Sequence, residues 1–166
     1  IKQLQEKHFL EFDKRFGVLS LTTNPLKNEM WEKYSDNYAG ICVGFDSSKM
    51  FPRLGGGCQV EYYDVLPDIL ESHTQLEEAH IQAYSKERKW EFEDEYRTQT
   101  FSYEPLTIKQ RCVILPKECY KHIFFGMNIS TEDKNAVIEV CNKEDLKVSY
   151  YQAIKLESGE VIQKQL

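Results

Sequence analysis

The chain has little of what builds a disulfide framework, a zinc ribbon or a membrane span. Its cysteines, Cys42, Cys58, Cys112, Cys119 and Cys141, are odd in number and include no Cys-x-x-Cys pair, so neither a closed disulfide set nor a zinc ribbon follows from them. Thiols of this kind suit a reducing cytoplasm. No run approaches the roughly 18 apolar residues that crossing a bilayer requires, and no signal-peptide pattern opens the sequence. Positive charge is short as well: 21 Lys and Arg stand against 27 Asp and Glu, a formal net charge of −6. That balance speaks against broad contact with nucleic-acid phosphates or an anionic membrane, where affinity comes from cations displacing counterions, and leaves room for a local basic pocket. Gly55-Gly56-Gly57 has no Lys or Ser placed as a phosphate loop needs, and reads as a turn. The first residue is Ile, not Met, which leads us to expect an upstream segment.

What is present is a core. With 166 residues, 41% hydrophobic and 13% aromatic, the sequence predicts a single α+β domain. Its expected parts are a mixed sheet of about six to eight strands, an N-terminal helix, a long central helix and a C-terminal helix. Apolar residues at helical intervals predict an amphipathic helix over 1–16, ended by Gly17. A buried strand over 18–23 follows, then a helix over 29–37 capped by Asn28 and closed by Gly40, and an inner strand over 41–46. Alternation predicts a strand over 58–63, and Pro67 opens the long helix, which runs to about Trp90. Further on come a strand-like run from Leu106 to Leu115, a short turn after Pro116 and a central strand over 122–127. The signature of Ser130 with Asp133 launches a helix to about Cys141, and strands over 148–154 and 161–166 close the chain. Lys109 and Arg111 face either a site or water, water being the usual place for them. Asn128-Ile129-Ser130 fits a glycosylation sequon and reads better as a turn into the helix cap.

Groups able to do chemistry concentrate in KERKWEFEDEYR, from Lys86 to Arg97. On a helix Glu93 and Arg97 pair at i, i+4; on a strand Glu93, Glu95 and Arg97 share a face. The aromatic and β-branched tail YRTQTFSY places a strand from about Glu95, so the acids fall at a helix-to-strand junction, where function often resides. Two close carboxylates raise each other's proton affinity and a guanidinium lowers it, so Glu93, Glu95 and Arg97 could divide acid and base roles. The plainer reading is a Glu–Arg pair that staples the junction, with Glu91 and Asp94 solvated. His73, Glu77 and His80 would share a helix face, but the histidines lie two turns apart without a fourth ligand, so no metal site is expected.

Three ordered stretches resemble the bacterial domain-of-unknown-function family 2971. VLSLTT followed by MWEKYSDNYAGICVGFD is similar to that family's serine-bearing strand, Met-Trp-x-x-Tyr helix and Gly-Phe-Asp strand, through Ser20, Met30, Trp31, Tyr34, Gly40, Phe45 and Asp46. Val60-Glu61-Tyr62 is similar to its next short strand. Lys86, Trp90, Glu93, Glu95 and Arg97 match its Lys-x-x-x-Trp-x-x-Glu-x-Glu-aromatic-Arg signature. The family's upstream Phe-Asn-Asp-Pro-Phe-Glu pattern is missing here. The resemblance implies a prokaryotic cytoplasmic protein and supplies no reaction. An analogy with ADP-ribosyltransferases rests on Arg15, Ser20 with Thr22, and Glu93-x-Glu95; it implies NAD as the cofactor and a carboxylate steadying charge as nicotinamide leaves.

Two expectations follow. The first is a polar pocket for a nucleotide-like small molecule, with Glu93, Glu95 and Arg97 catalytic and Ser20, Trp31, Tyr34, Lys86 and Trp90 in contact with the ligand. The second, of a different class, is a non-catalytic interaction module in which the Trp and Glu–Arg motifs are structural.

Overall fold

A computed structural model describes residue 10 and residues 13–166. The expected N-terminal helix lies mostly outside these; Leu10 and residues 13–15 are helical. In chain order the elements are β1 (Phe16–Thr22), α1 (Asn28–Tyr34), β2 (Ile41–Phe45), α2 (Ser47–Met50), β3 (Cys58–Gln59), β4 (Glu61–Tyr63), α3 (Gln75–Tyr84) and β5 (Ser85–Glu87). They continue with β6 (Glu95–Phe101), α4 (Ile108–Arg111), β7 (Tyr120–Phe125), α5 (Thr131–Lys143), β8 (Ser149–Lys155) and β9 (Val161–Gln165). The α+β class read from the sequence is the class observed.

The strands fall into three sheets, ordered β1-β6-β3, β2-β7-β8-β9 and β4-β5. The chain divides into two compact units, one of residues 1–23 and 51–114, the other of residues 24–50 and 115–166.

The first unit is built on β6, which pairs antiparallel with β1 along its whole length and with β3 at Cys58 and Gln59. The expected single strand over 58–63 breaks at Val60, which is buried and donates its N–H to the Glu95 carbonyl. Beyond it β4 pairs parallel with β5, Tyr62 facing Lys86. The expected long helix is cut at both ends. Its true start is a capping box, Thr74 accepting from the Glu77 N–H while the Glu77 carboxylate accepts from the Thr74 N–H at 2.7 Å. It stops at Tyr84 because Ser85–Glu87 finds a strand partner in β4, a non-local pairing that outweighs helix propensity. A 3-10 turn over Arg88–Glu93 follows, and Asp94, at φ 43°, turns the chain into β6. The expected strand after Leu106 is also corrected: Thr107 and Gln110 form a second capping box, and residues 108–111 are one helical turn.

The second unit is a four-stranded sheet with a cluster on each face. Alternation sends Phe124 and Ala153 to one side, with Trp31, Tyr38 and Val161 packed there. It sends Ile123 and Phe125 to the other, against Cys141 with Val137 and Ile138 of α5. Ser130 caps α5 as its sequence signature predicts, accepting from the Asp133 N–H at 3.0 Å. Asn28 is the first residue of α1 and not its cap; its side chain instead accepts from the Tyr38 hydroxyl at 2.8 Å. After α1 three successive residues, Asp36, Asn37 and Tyr38, take positive φ of 47°, 51° and 68°. This turn drives the fully buried Tyr38 under Trp31, rings stacked at 5.6 Å. The Tyr38 carbonyl then lies where any side chain at residue 126 would sit, which accounts for Gly126.

Candidate functional site

The pairing of β1 with β6 sets Ser20 opposite Arg97 and Thr22 opposite Glu95, so side chains of the Lys86–Arg97 stretch meet the serine strand on one sheet face. Glu95 opens β6, two residues before Arg97 on the same face. The Arg97 guanidinium forks onto it, Nε to Oε1 at 2.7 Å and Nη2 to Oε2 at 3.0 Å. The remaining Arg97 nitrogen donates to the Ala83 carbonyl at 2.6 Å, tying the end of α3 to the sheet.

Lys86, the middle residue of β5, reaches the same carboxylate at 2.8 Å and also donates to Glu93, the last residue of the 3-10 turn. The Glu95 N–H donates to the Tyr62 hydroxyl at 2.8 Å, so the strand opposite Lys86 is held too. Above the cluster the Lys86 ammonium sits 5.4 Å from the Trp90 ring centre.

Both carboxylates are buried, Glu93 at 5% and Glu95 at 3% exposure. Burial by itself pushes the Glu95 carboxyl up, and hydrogen bonds from Arg97, Lys86 and Ser20 outweigh it and hold the group at about 2. Lys86 mirrors this: burial pulls its ammonium down, while bonds to Glu93 and Glu95 carry it above its ordinary value. Two cations face two anions, so the formal charges of the quartet cancel. Glu95 is an acceptor with four donors upon it, fully ionised at neutral pH. These contacts brace the start of β6 against β5, and a general acid or base would need a pKa near working pH.

The structure brings together six of the residues singled out from sequence, Ser20, Lys86, Trp90, Glu93, Glu95 and Arg97, within the first unit. The pairing within the motif differs from the expected Glu93–Arg97 couple: Arg97 forks onto Glu95, and Glu93 takes Lys86. Trp31 and Tyr34 belong to the second unit. There Trp31 is a core residue at 3% exposure whose indole N–H donates to the Pro25 carbonyl at 2.7 Å, and Tyr34 is 57% exposed.

Tyr62 and the Ala83 carbonyl are partners that sequence reading missed. No local signal marks them, because each is selected by a strand pairing or a helix end remote in the chain. His73 precedes α3 and accepts from the Leu70 N–H, and His80 lies 3.8 Å from Glu61. Among the described residues no three His, Cys, Asp or Glu side chains gather to hold a metal ion, and no helix is long and apolar enough to cross a membrane.

Fold and site thus define an α+β chain organised around a buried, charge-balanced Lys–Glu–Glu–Arg quartet. No protein-family model, no curated protein and no solved structure matches the chain.

Proposed function

We propose that this chain is a non-catalytic binding module in which Trp31 and the Glu–Arg motif are structural. The observation that carries the reading is the saturation of Glu95, whose two oxygens receive Arg97, Lys86 and Ser20 while the residue is 3% exposed. A ribose hydroxyl could reach that carboxylate only by displacing a charged donor from a buried site, a loss of roughly 3–5 kcal/mol when a buried pair is broken. The resemblance to family 2971, with its bacterial and cytoplasmic setting, belongs to the same proposal on the strength of the ordered motifs Met30-Trp31 and Lys86 to Arg97.

The test is a turnover assay with NAD, following nicotinamide release by chromatography, on the wild type and Glu95→Gln. We expect no release from either protein and a lower melting temperature for the variant. Release by the wild type that Glu95→Gln abolishes at an unchanged melting temperature would restore the transferase reading.

A further inference from the structure

The opposite face of the β1-β6-β3 sheet carries a feature the ion quartet does not use. Thr98 and Thr100 alternate with Arg97 along β6 and therefore leave the sheet on the side away from the quartet. They and Leu19 of β1 contribute to a cleft of about 660 Å³, which Arg53, Arg111 and Val113 help to enclose. That size matches sites for small organic ligands, about 300–1,000 Å³.

In a chain whose formal charge is −6, the lining includes two arginines and, among the described residues, no Asp or Glu. Arg111 is fixed in place: Nη1 donates to the Phe16 carbonyl at 2.8 Å, and Nη2 donates to the carbonyls of Asp13 and Lys14. Carbonyl oxygens orient a guanidinium without cancelling its charge, and three bonds out of five N–H donors leave two for a ligand. A cation already immobilised has little rotamer entropy left to lose on binding. Leu19 and Val113, 41% and 52% exposed, add apolar surface beside it.

We propose that this cleft binds a small organic anion, its phosphate or carboxylate held by Arg111 and its apolar body lying over Leu19 and Val113. The quartet across the sheet takes no part in recognition, so the assignment stands whether or not the NAD assay above finds turnover.

The test is calorimetric titration of the full chain at low salt with adenosine 5′-monophosphate as the phosphate arm, salicylate as the carboxylate arm and adenosine as the uncharged control. At least one anion should bind with Kd below about 1 mM, at least ~10-fold tighter than adenosine, and should weaken as salt rises. Thr100 is exposed on the cleft floor, so Thr100→Glu brings a carboxylate into the lining and should weaken the anion at least ~10-fold, against less than ~2-fold for Thr100→Gln. Val113→Glu, in the loop after α4, places the same charge from another wall and should act alike; it decides the matter if Thr100→Glu does not fold. Absence of heat from both anions up to about 10 mM, equal binding of adenosine, or full affinity in a folded Glu variant would each overturn the assignment.

Discussion

Replacing Glu95 by Gln keeps the shape of the side chain and removes the charge that Lys86 and Arg97 converge on. The folded-state carboxyl, brought from an ordinary 4.5 to about 2, is worth roughly 3 kcal/mol of stability at neutral pH. Seen from the partly buried cations Lys86 and Arg97, the same defect is an ion pair that has lost one member, a loss of about 3–5 kcal/mol where such pairs are buried, so the two figures describe one effect. Because folding depresses this pKa, the contribution is complete above the unfolded value of 4.5 and drains away as pH falls from there toward 2. Gln does not titrate in that window. Urea unfolding of both proteins should therefore show a gap of about 3 kcal/mol at neutral pH, shrinking to about 1 kcal/mol near pH 3. A gap that stays constant down to that pH, or one below about 0.5 kcal/mol at neutrality, would refute the account of Glu95 as the ionised centre of the brace.

The burial of Trp31 and the exposure of Tyr34 predict opposite outcomes for two truncations. Trp31→Ala should cost about 3–5 kcal/mol in chemical denaturation, and Tyr34→Ala should stay within about 0.5 kcal/mol. Gly126→Ala would set a Cβ 2.1 Å from the Tyr38 carbonyl oxygen, so a fall of at least about 3 kcal/mol is expected, read by the same assay.

Elements specified by neighbours in sequence were the legible ones. Ser130 with Asp133 announced α5, and the strands holding Leu19, Val43, Ile123 and Ala153 lie where their sequences place them. The capping pairs Thr74 with Glu77 and Thr107 with Gln110 are equally local and mark the true helix starts, later than Pro67 in the first case and inside the strand-like run from Leu106 in the second. What could not be read locally was Ser85–Glu87 leaving the helix, because its partner is 24 residues upstream, Glu61 against Ser85. The candidate site was legible as a cluster and not as a role. Glu95 and Arg97 reveal their proximity through strand period, but saturation of Glu95 depends on Lys86 arriving from β5 and Ser20 from β1. The cleft was less visible still, since Arg53 and Arg111 come from segments whose sequence reads as ordinary solvated surface.

The two units are threaded through one another along the chain, with crossings after residues 23, 50 and 114. No single cleavage frees either of them, and no stretch of the gene encodes one alone. During synthesis β1 emerges long before the β6 that it pairs with, and β2 must wait for β7, so both sheets close only after the ribosome has passed the third crossing or come close to it. Anyone wishing to isolate the cleft-bearing unit would have to join residue 23 to residue 51 with a new loop, since nature wrote no such fragment.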